Sequence, residues 1–561
     1  MIPARFSFSV RTISLGLLLV WSVSRGRAED SHGIVASVHP VATRAGLAIL
    51  KQGGNAVDAA VAVALTLGVV DGHNSGIGGG CFILIHRANG SLVAIDGREM
   101  APAAATRDMF VHNGKGDTDL SQNGALASGV PGALAAYEFA VKHYGRKPLK
   151  ELILPAAEIA ERGFKLDAGY ADLLKLVGPE MGRFKSSRAV FFKDGKPLSQ
   201  GDLLRQPDLA ATYRSIAGQG SDWFYRGPFA KSAEQWMMQN GGIITAKDFR
   251  NYKVRTREPI VSNYRAYKIV AFPPPSSGGV HVAQILNILE AFDLRSFDEA
   301  TRLHVIAEAM KLAFADRAYW LGDPDFAKVP RGLVDSKYGR SLAAKISRAH
   351  VTRVESHGMP PDSQNDVFKK HTTHFSVADA EGNWVACTAT VNTSFGSKVL
   401  IPGTGVVMNN QMDDFSIQPG VANFFGLIGA EANAVAPGKR PLSSMNPTIV
   451  LKDGKPIIAL GAAGGPKIIS QVVLELIWML DLGMGPKEAL IQPRIHHQWF
   501  PDELMIESTL PPNLQAALVS GGHVLKKLPS MGVSQIVART PDGKSFWGAS
   551  DPRAHGEAAG W

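Results

Sequence analysis

Cysteine is nearly absent: Cys81 and Cys387 are the only two in 561 residues. A disulfide framework is thereby excluded as the source of stability. Each of the two lies in an apolar, strand-like run, so buried thiols are expected rather than a bridge or a nucleophile. Long apolar runs are missing from the body of the chain, the stretch 59–70 being too short to span a bilayer. Blocks of like charge are missing as well. The 59 Lys and Arg against 50 Asp and Glu give a net charge of +9, but the basic residues are scattered and no aromatic-basic motif accompanies them, which argues against a nucleic-acid partner. No internal repeat points to a solenoid. There is no G-x-S-x-G elbow and no H-E-x-x-H helix. The pairs His371/His374 and His496/His497 lack further ligands at a suitable spacing, so neither a metal nor a cofactor is expected.

What is present begins with an export signal. Arg5 and Arg11 precede an apolar stretch at 13–23, and Gly26-Arg27-Ala28 supplies small residues for cleavage, so residues 1–28 read as a signal peptide of a periplasmic or secreted protein. An uncleaved anchor is the alternative, disfavoured by the shortness of the apolar stretch. The remaining length and a hydrophobic fraction of 45% suffice for a large core.

A helix is expected over 40–51, and Asn55 with Asp58 three residues on forms a capping box for a second. The glycine run 76–80 follows a helix and leads into a strand at 81–86. A phosphate-binding loop needs the opposite order, so this is a tight turn that brings the backbone close to some other group. Residues 149–320 are mainly helical, with an amphipathic stretch at 302–319 and a stiff loop at 273–279. Residues 351–370 turn polar around Gly358, Pro360 and Pro361, as suits an exposed or cleavable connection. Beyond 371 the texture is hairpins: 373–378 with 384–391, 448–451 with 457–460 across Asp453-Gly454, and 536–539 with 546–548 across Asp542-Gly543. Hairpins covered by helices such as 468–482 imply a layered α+β sandwich, not a doubly wound parallel sheet.

The chemistry-bearing residues fall in the last third. Were the chain cut before Thr372, in Lys370-His371-Thr372-Thr373-His374, one residue would supply both a hydroxyl nucleophile and, in its free α-amine, the base that activates it. The same hydroxyl attacking the His371 carbonyl would make the cut. An isolated threonine pair is otherwise an ordinary strand start. Thr390-Val391-Asn392 ends the returning strand, where Thr390 could orient that amine. The run 409–415, with Gln411 and Asp414, is dense enough in oxygen acceptors to hold an ammonium group. Ser443 and Ser444, between Pro441 and Pro447, could accept a carboxylate, with Arg98 of Asp96-Gly97-Arg98-Glu99 as the cation. Gly464 and Gly465 join a strand to a helix, where backbone N–H groups could stabilise an oxyanion. Singly, each has a plain reading as a turn or a surface salt bridge.

As a set, these residues resemble the γ-glutamyltransferase (glutathione hydrolase) family of N-terminal-nucleophile hydrolases. The likeness also includes 53–60, Gly129-Val130-Pro131-Gly132, 273–279, Gly322-Asp323-Pro324 and Ser550-Asp551-Pro552-Arg553. It implies a four-layer αββα fold and a precursor that cleaves itself into a large subunit, 29–371, and a small one, 372–561, which stay together as a heterodimer. It makes Thr372 the nucleophile, Thr390 its assistant, and Gly464 and Gly465 the oxyanion hole. Arg98, Ser443 and Ser444 would hold the donor's α-carboxylate, and Asn392, Gln411 and Asp414 its α-amino group. The donor would be glutathione or another γ-glutamyl amide, and the acyl group would pass to water, an amino acid or a dipeptide. In the stretch 419–426, which resembles the lid of bacterial members, Phe425 stands where a tyrosine is often found; a looser gate is expected. Two alternatives are a glutaryl (cephalosporin) acylase, whose substrates lack the α-amine, and an unprocessed homologue without activity.

Overall fold

The computed structural model describes residues 32–361, 374–418 and 420–561; the expected signal peptide, the His371–Thr372 bond and Thr372 itself lie outside them. In chain order the strands of the two main sheets are β1 (Gly33–Ser37), β2 (Gly80–His86), β3 (Leu92–Gly97), β4 (Arg255–Arg257), β5 (Ile260–Tyr264), β6 (Tyr267–Ala271), β7 (Phe375–Asp379), β8 (Trp384–Thr390), β9 (Thr448–Lys452), β10 (Lys455–Ala463), β11 (Val533–Arg539), β12 (Phe546–Ser550) and β13 (Glu557–Gly560). One sheet runs β4-β3-β2-β8-β7-β1-β13 and the other β5-β6-β9-β10-β11-β12, with every pairing antiparallel. All three hairpins expected beyond residue 371 are present.

Period-two alternation explains why the sheets stack. In β2, Cys81, Ile83 and Ile85 face one apolar core while Phe82 and Leu84 face another; in β1, Val35 faces the first and Ile34 and Ala36 the second. A strand apolar on both faces must be covered on both. The first sheet's outer face carries α1 (Pro40–Lys51), α2 (Ala56–Val70) and α3 (Ala133–Tyr144); the second carries α4 (Ser277–Leu289), α5 (Glu299–Trp320) and α6 (Lys467–Leu476). The result is the expected αββα sandwich. Asn55 accepts from Val57 and Asp58 N–H while Asp58 accepts from Asn55 N–H, the reciprocal cap read from sequence.

The chain order within the first sheet bears on the expected cut. β7, β8 and β13 lie C-terminal to residue 372, yet β8 pairs with β2, and β1 is flanked by β7 and β13. A break before 372 would leave both pieces sharing one hydrogen-bonded ladder.

Two helical readings need adjustment. Helix α5 is there, but residues Leu303 to Arg317 are buried without interruption, so it is a central helix and not an amphipathic surface one. Its charged residues are satisfied internally, as where Lys311 Nζ lies 3.1 Å from Glu308. The stretch 273–279 is a loop only as far as Ser276, whose hydroxyl caps α4 by accepting from Gly278 N–H. Cys81 and Cys387 are free and buried, as expected.

Candidate active site

Strand β8 ends at Thr390, paired in register with Gly80 of β2. The preceding Gly79 is needed there, because a Cβ would sit 1.8 Å from the Thr390 carbonyl oxygen; this is the close approach inferred from the glycine run. Past Thr390 the chain turns through Asn392, a non-glycine residue at φ 82°. Asn392 N–H donates to Thr390 Oγ1 (2.8 Å) and its Nδ2 to Asn410 O (3.0 Å). These bonds offset the strain of the left-handed backbone and leave Asn392 Oδ1 for the cavity.

Of the residues singled out in sequence, Thr390, Asn392, Gln411, Asp414, Phe425, Ser443, Ser444, Gly464 and Gly465 line one cavity of about 250 Å³. Within it, Gln411 Nε2 donates to Asp414 Oδ2 at 2.8 Å, and Gln411 Oε1 is buried and without a hydrogen-bond partner among the described residues. Asp414 Oδ2 also accepts from Arg98 Nη2 at 2.5 Å. Among the described residues, Asn392 Oδ1, Gln411 Oε1 and Asp414 Oδ1 carry no hydrogen bond. An ammonium group has three N–H donors to meet them.

Arg98 does not line the cavity. It is fully buried at the end of β3, where its Nε donates to Pro441 O (3.3 Å) and its Nη2 to Leu442 O (3.2 Å). Its backbone N–H is held by Asp96, which is ion-paired with Arg257 and Arg440. Arg98 thus props the 441–442 backbone and Asp414 from behind. Beside it Glu99 is buried, 3.6 Å from Arg98 Nη1, with neither carboxylate oxygen hydrogen-bonded among the described residues. Burial pushes its carboxyl up to about 7, against the pull of Arg98.

The cation that does face the cavity is Arg317, on α5. Its Nε donates to Ser277 Oγ (2.9 Å) and its Nη2 to Ser444 Oγ (3.0 Å), so the Ser444 hydroxyl is polarised to donate its own proton. Burial lowers the Arg317 guanidinium to about 10, partly countered by Asp414, and it stays charged at neutral pH. Sequence reading missed it, since nothing local distinguishes Arg317 from the other charged residues of this helix. The informative signal was the rarity of a buried arginine without function.

Strand β10 runs into Gly464 and Gly465, at φ 134° and 61°, immediately before Pro466 and α6. Amides ahead of a helix's first turn are not consumed by its ladder and sit at the positive end of its dipole. Phe425 covers this turn: a Cβ on Gly465 would lie 2.5 Å from its ring. Phe424 packs edge-on against Phe425 at 5.2 Å and is 55% exposed at the rim. His374, the first described residue after 361, is buried with Nε2 2.7 Å from Ser376 Oγ. Burial lowers its imidazole to about 3, so it is neutral.

A cavity lined by unpaired acceptors, two serines and a charged arginine beside a two-glycine turn, on an antiparallel αββα sandwich, suits an amide-acyl hydrolase or transferase of the N-terminal-nucleophile class. Residues 42–561 match the family described as gamma-glutamyltranspeptidase. The chain is 45% identical to the glutathione hydrolase proenzyme of Escherichia coli (strain K12) over 545 residues, 95% of this chain and 93% of that one. The crystal structure of cephalosporin acylase from Bacillus halodurans superposes with a TM-score of 0.84 at 30% identity, covering 95% and 96% of the two chains. That of Helicobacter pylori gamma-glutamyltranspeptidase gives 0.57 at 41%, covering 60% of this chain and 96% of that one. The chain belongs to the γ-glutamyltranspeptidase family.

Proposed function

We propose that this chain is a self-cleaving γ-glutamyltransferase and glutathione hydrolase whose nucleophile is Thr372. The observation that carries the reading is the three-acceptor ammonium seat beside a serine pair and a charged arginine: it fits the free α-amino acid end of a γ-glutamyl group. The ammonium would meet Asn392, Gln411 and Asp414, and the α-carboxylate Ser443 and Ser444. Arg317 supports the carboxylate through Ser444, and Arg98 supports the seat by fixing Asp414. With both charged ends held, the γ-carbonyl is presented to the nucleophile, a positioning effect able to remove several kcal/mol from a barrier.

β7 and β8 pair Phe375 with Cys387 and Ser376 with Ala386. Thr390, three residues past Cys387 at the end of β8, would be the group that orients the α-amine. In the first half-reaction the Thr372 hydroxyl adds to the γ-carbonyl and its proton passes to the α-amine. The oxyanion forms against Gly464 and Gly465 N–H. Collapse breaks the C–N bond, the proton goes to the leaving amine, and a γ-glutamyl ester remains. Water or an acceptor amine then repeats the addition and displaces the threonine oxygen.

Cleavage would give subunits 29–371 and 372–561 that remain a heterodimer through the shared sheet. The H. pylori match supports this, since it spans nearly all of a chain that accounts for 60% of this one, close to the share of 29–371. Export through residues 1–28 completes the reading; among the described residues no helix is long and apolar enough to cross a membrane.

Sequencing the N-terminus of the small fragment tests the nucleophile, and any first residue other than Thr372 removes it. Comparing γ-glutamyl with glutaryl anilides tests the headgroup: the ammonium seat requires γ-glutamyl to be preferred, and preference for glutaryl would make this an acylase like its B. halodurans relative. A single uncleaved band that persists on incubation would point to the inactive homologue.

A further inference from the structure

Once the γ-glutamyl head is seated, three polar lining residues are left over: Asn74, Thr393 and Ser394. They form one wall, because Asn74 O accepts from Val391 N–H (3.0 Å) and the neighbouring His73 O from Phe395 N–H (2.7 Å). Behind that wall lies Lys398, only 7% exposed. Its Nζ donates to Thr393 Oγ1 (3.0 Å) and to Gly396 O (2.8 Å), and among the described residues no carboxylate lies within ion-pair distance of it. Asp413, Glu180 and Asp119 act on it from farther away. Asp413 is already engaged by Ser121, Gln122 and Phe424 N–H.

A buried ammonium without a close counter-ion is costly to desolvate, and a ligand anion reached through Thr393 would offset that cost. The hydroxyl between Lys398 and the cavity is set to pass that charge on. Thr393 Oγ1 accepts from both Lys398 and Asn410 Nδ2 (2.8 Å). Its own proton then has only Gly396 O, at a long 3.4 Å, and so can be donated to a ligand. The arrangement parallels Arg317 behind Ser444.

We propose that Thr393, polarised by Lys398, binds the carboxylate of the amine that attacks the γ-glutamyl ester, so that the enzyme selects amino-acid or dipeptide acceptors carrying a free carboxylate. The inference rests on the γ-glutamyltransferase reading and adds the acceptor side to it. Lys398 is a positioning residue, acting through Thr393.

The test uses the matured full-length enzyme at pH 7 with γ-glutamyl-p-nitroanilide as donor, comparing glycylglycine with glycylglycinamide as acceptors. The unmodified enzyme should show a KM roughly tenfold lower for glycylglycine, the worth of one charge-assisted hydrogen bond. Lys398→Met should raise the glycylglycine KM to that of the amide, while leaving the amide KM and acceptor-free hydrolysis within about twofold. Thr393→Val should likewise raise the glycylglycine KM to that of the amide, and Lys398→Arg should keep part of the preference. Equal KM values in the unmodified enzyme would overturn the proposal even if no variant folds. So would a preference that survives Lys398→Met, because a lysine that merely braces the 393–398 turn would not distinguish a carboxylate from an amide. Absence of donor hydrolysis in the unmodified enzyme would instead sink the functional reading beneath it.

Discussion

The floor and the roof of the cavity are built on opposite principles. The floor, from Asn392 through Asp414 to Ser444, consists of buried polar groups whose hydrogen bonds are nearly all assigned to other protein atoms, leaving a few acceptors and donors in fixed directions. The roof is a loop whose cavity-lining side chains, Phe424, Phe425 and Leu427, are apolar, while its backbone is held by hydrogen bonds from Phe424 N–H to Asp413 and from Phe425 and Leu427 N–H to Asn423. A floor of this kind costs desolvation and is worth it only if a complementary charged ligand arrives. A roof of this kind excludes water without dictating what lies beneath. Headgroup identity should therefore reside in the floor, and passage of substrates in the roof.

The sharpest way to break that contrast is Asp414→Asn. It removes the acceptor charge and leaves buried Arg98 without its short ion pair, so donor kcat/KM should fall by about a hundredfold or more, with the loss concentrated in KM. A small effect would mean the floor does not read the ammonium. Arg317→Lys comes next. A single ammonium point cannot bridge Ser277 and Ser444 as the forked guanidinium does, and donor KM should rise by roughly ten- to a hundredfold with circular dichroism unchanged. On the roof, Phe425→Tyr should change only the hydrolysis-to-transfer ratio and donor KM, each by about a few-fold, through the hydroxyl it adds. If neither moves, the missing hydroxyl is irrelevant to gating.

The smallest effect concerns stability. Burial raises Glu99 to about 7 from an ordinary 4.5, so between those values the folded chain keeps a proton that the unfolded chain has released. Its contribution is full below about 4.5 and is lost as the pH rises through 7. Glu99→Gln escapes that loss. Its apparent melting temperature should exceed the parent's by a few degrees at pH 8, and the gap should close as the pH falls toward 5.

Much of the floor was legible in advance because it is local: Asn409 to Asp414, the Ser443-Ser444 pair between prolines, and the Gly464-Gly465 turn are short runs whose composition states their chemistry. The hairpins and the cap at Asn55 were legible for the same reason. Arg317 was not, since one arginine among the several charged residues of its helix becomes significant only when the fold sets it against Ser444, more than a hundred residues away. Nor could sequence show that Arg98 is fully buried and bonded to Asp414 and the 441–442 backbone, or that α5 is enclosed over Leu303 to Arg317. Periodicity reports one buried stripe, and a helix wrapped by other elements has none to spare.

What the sequence determined by itself is the inventory: the hairpins and covering helices of a layered α+β sandwich, the turn chemistry that closes those hairpins, and the short polar runs whose composition suits an ammonium, a carboxylate and an oxyanion; the αββα order and the γ-glutamyl headgroup came with the family resemblance. That inventory depends on neighbours within a few positions along the chain. What the tertiary structure decided is which charge faces the cavity and which hides behind it, and that strands from both sides of residue 372 share one sheet. Those outcomes depend on contacts between distant segments, where burial and hydrogen-bond partners are fixed by packing rather than by order in the chain.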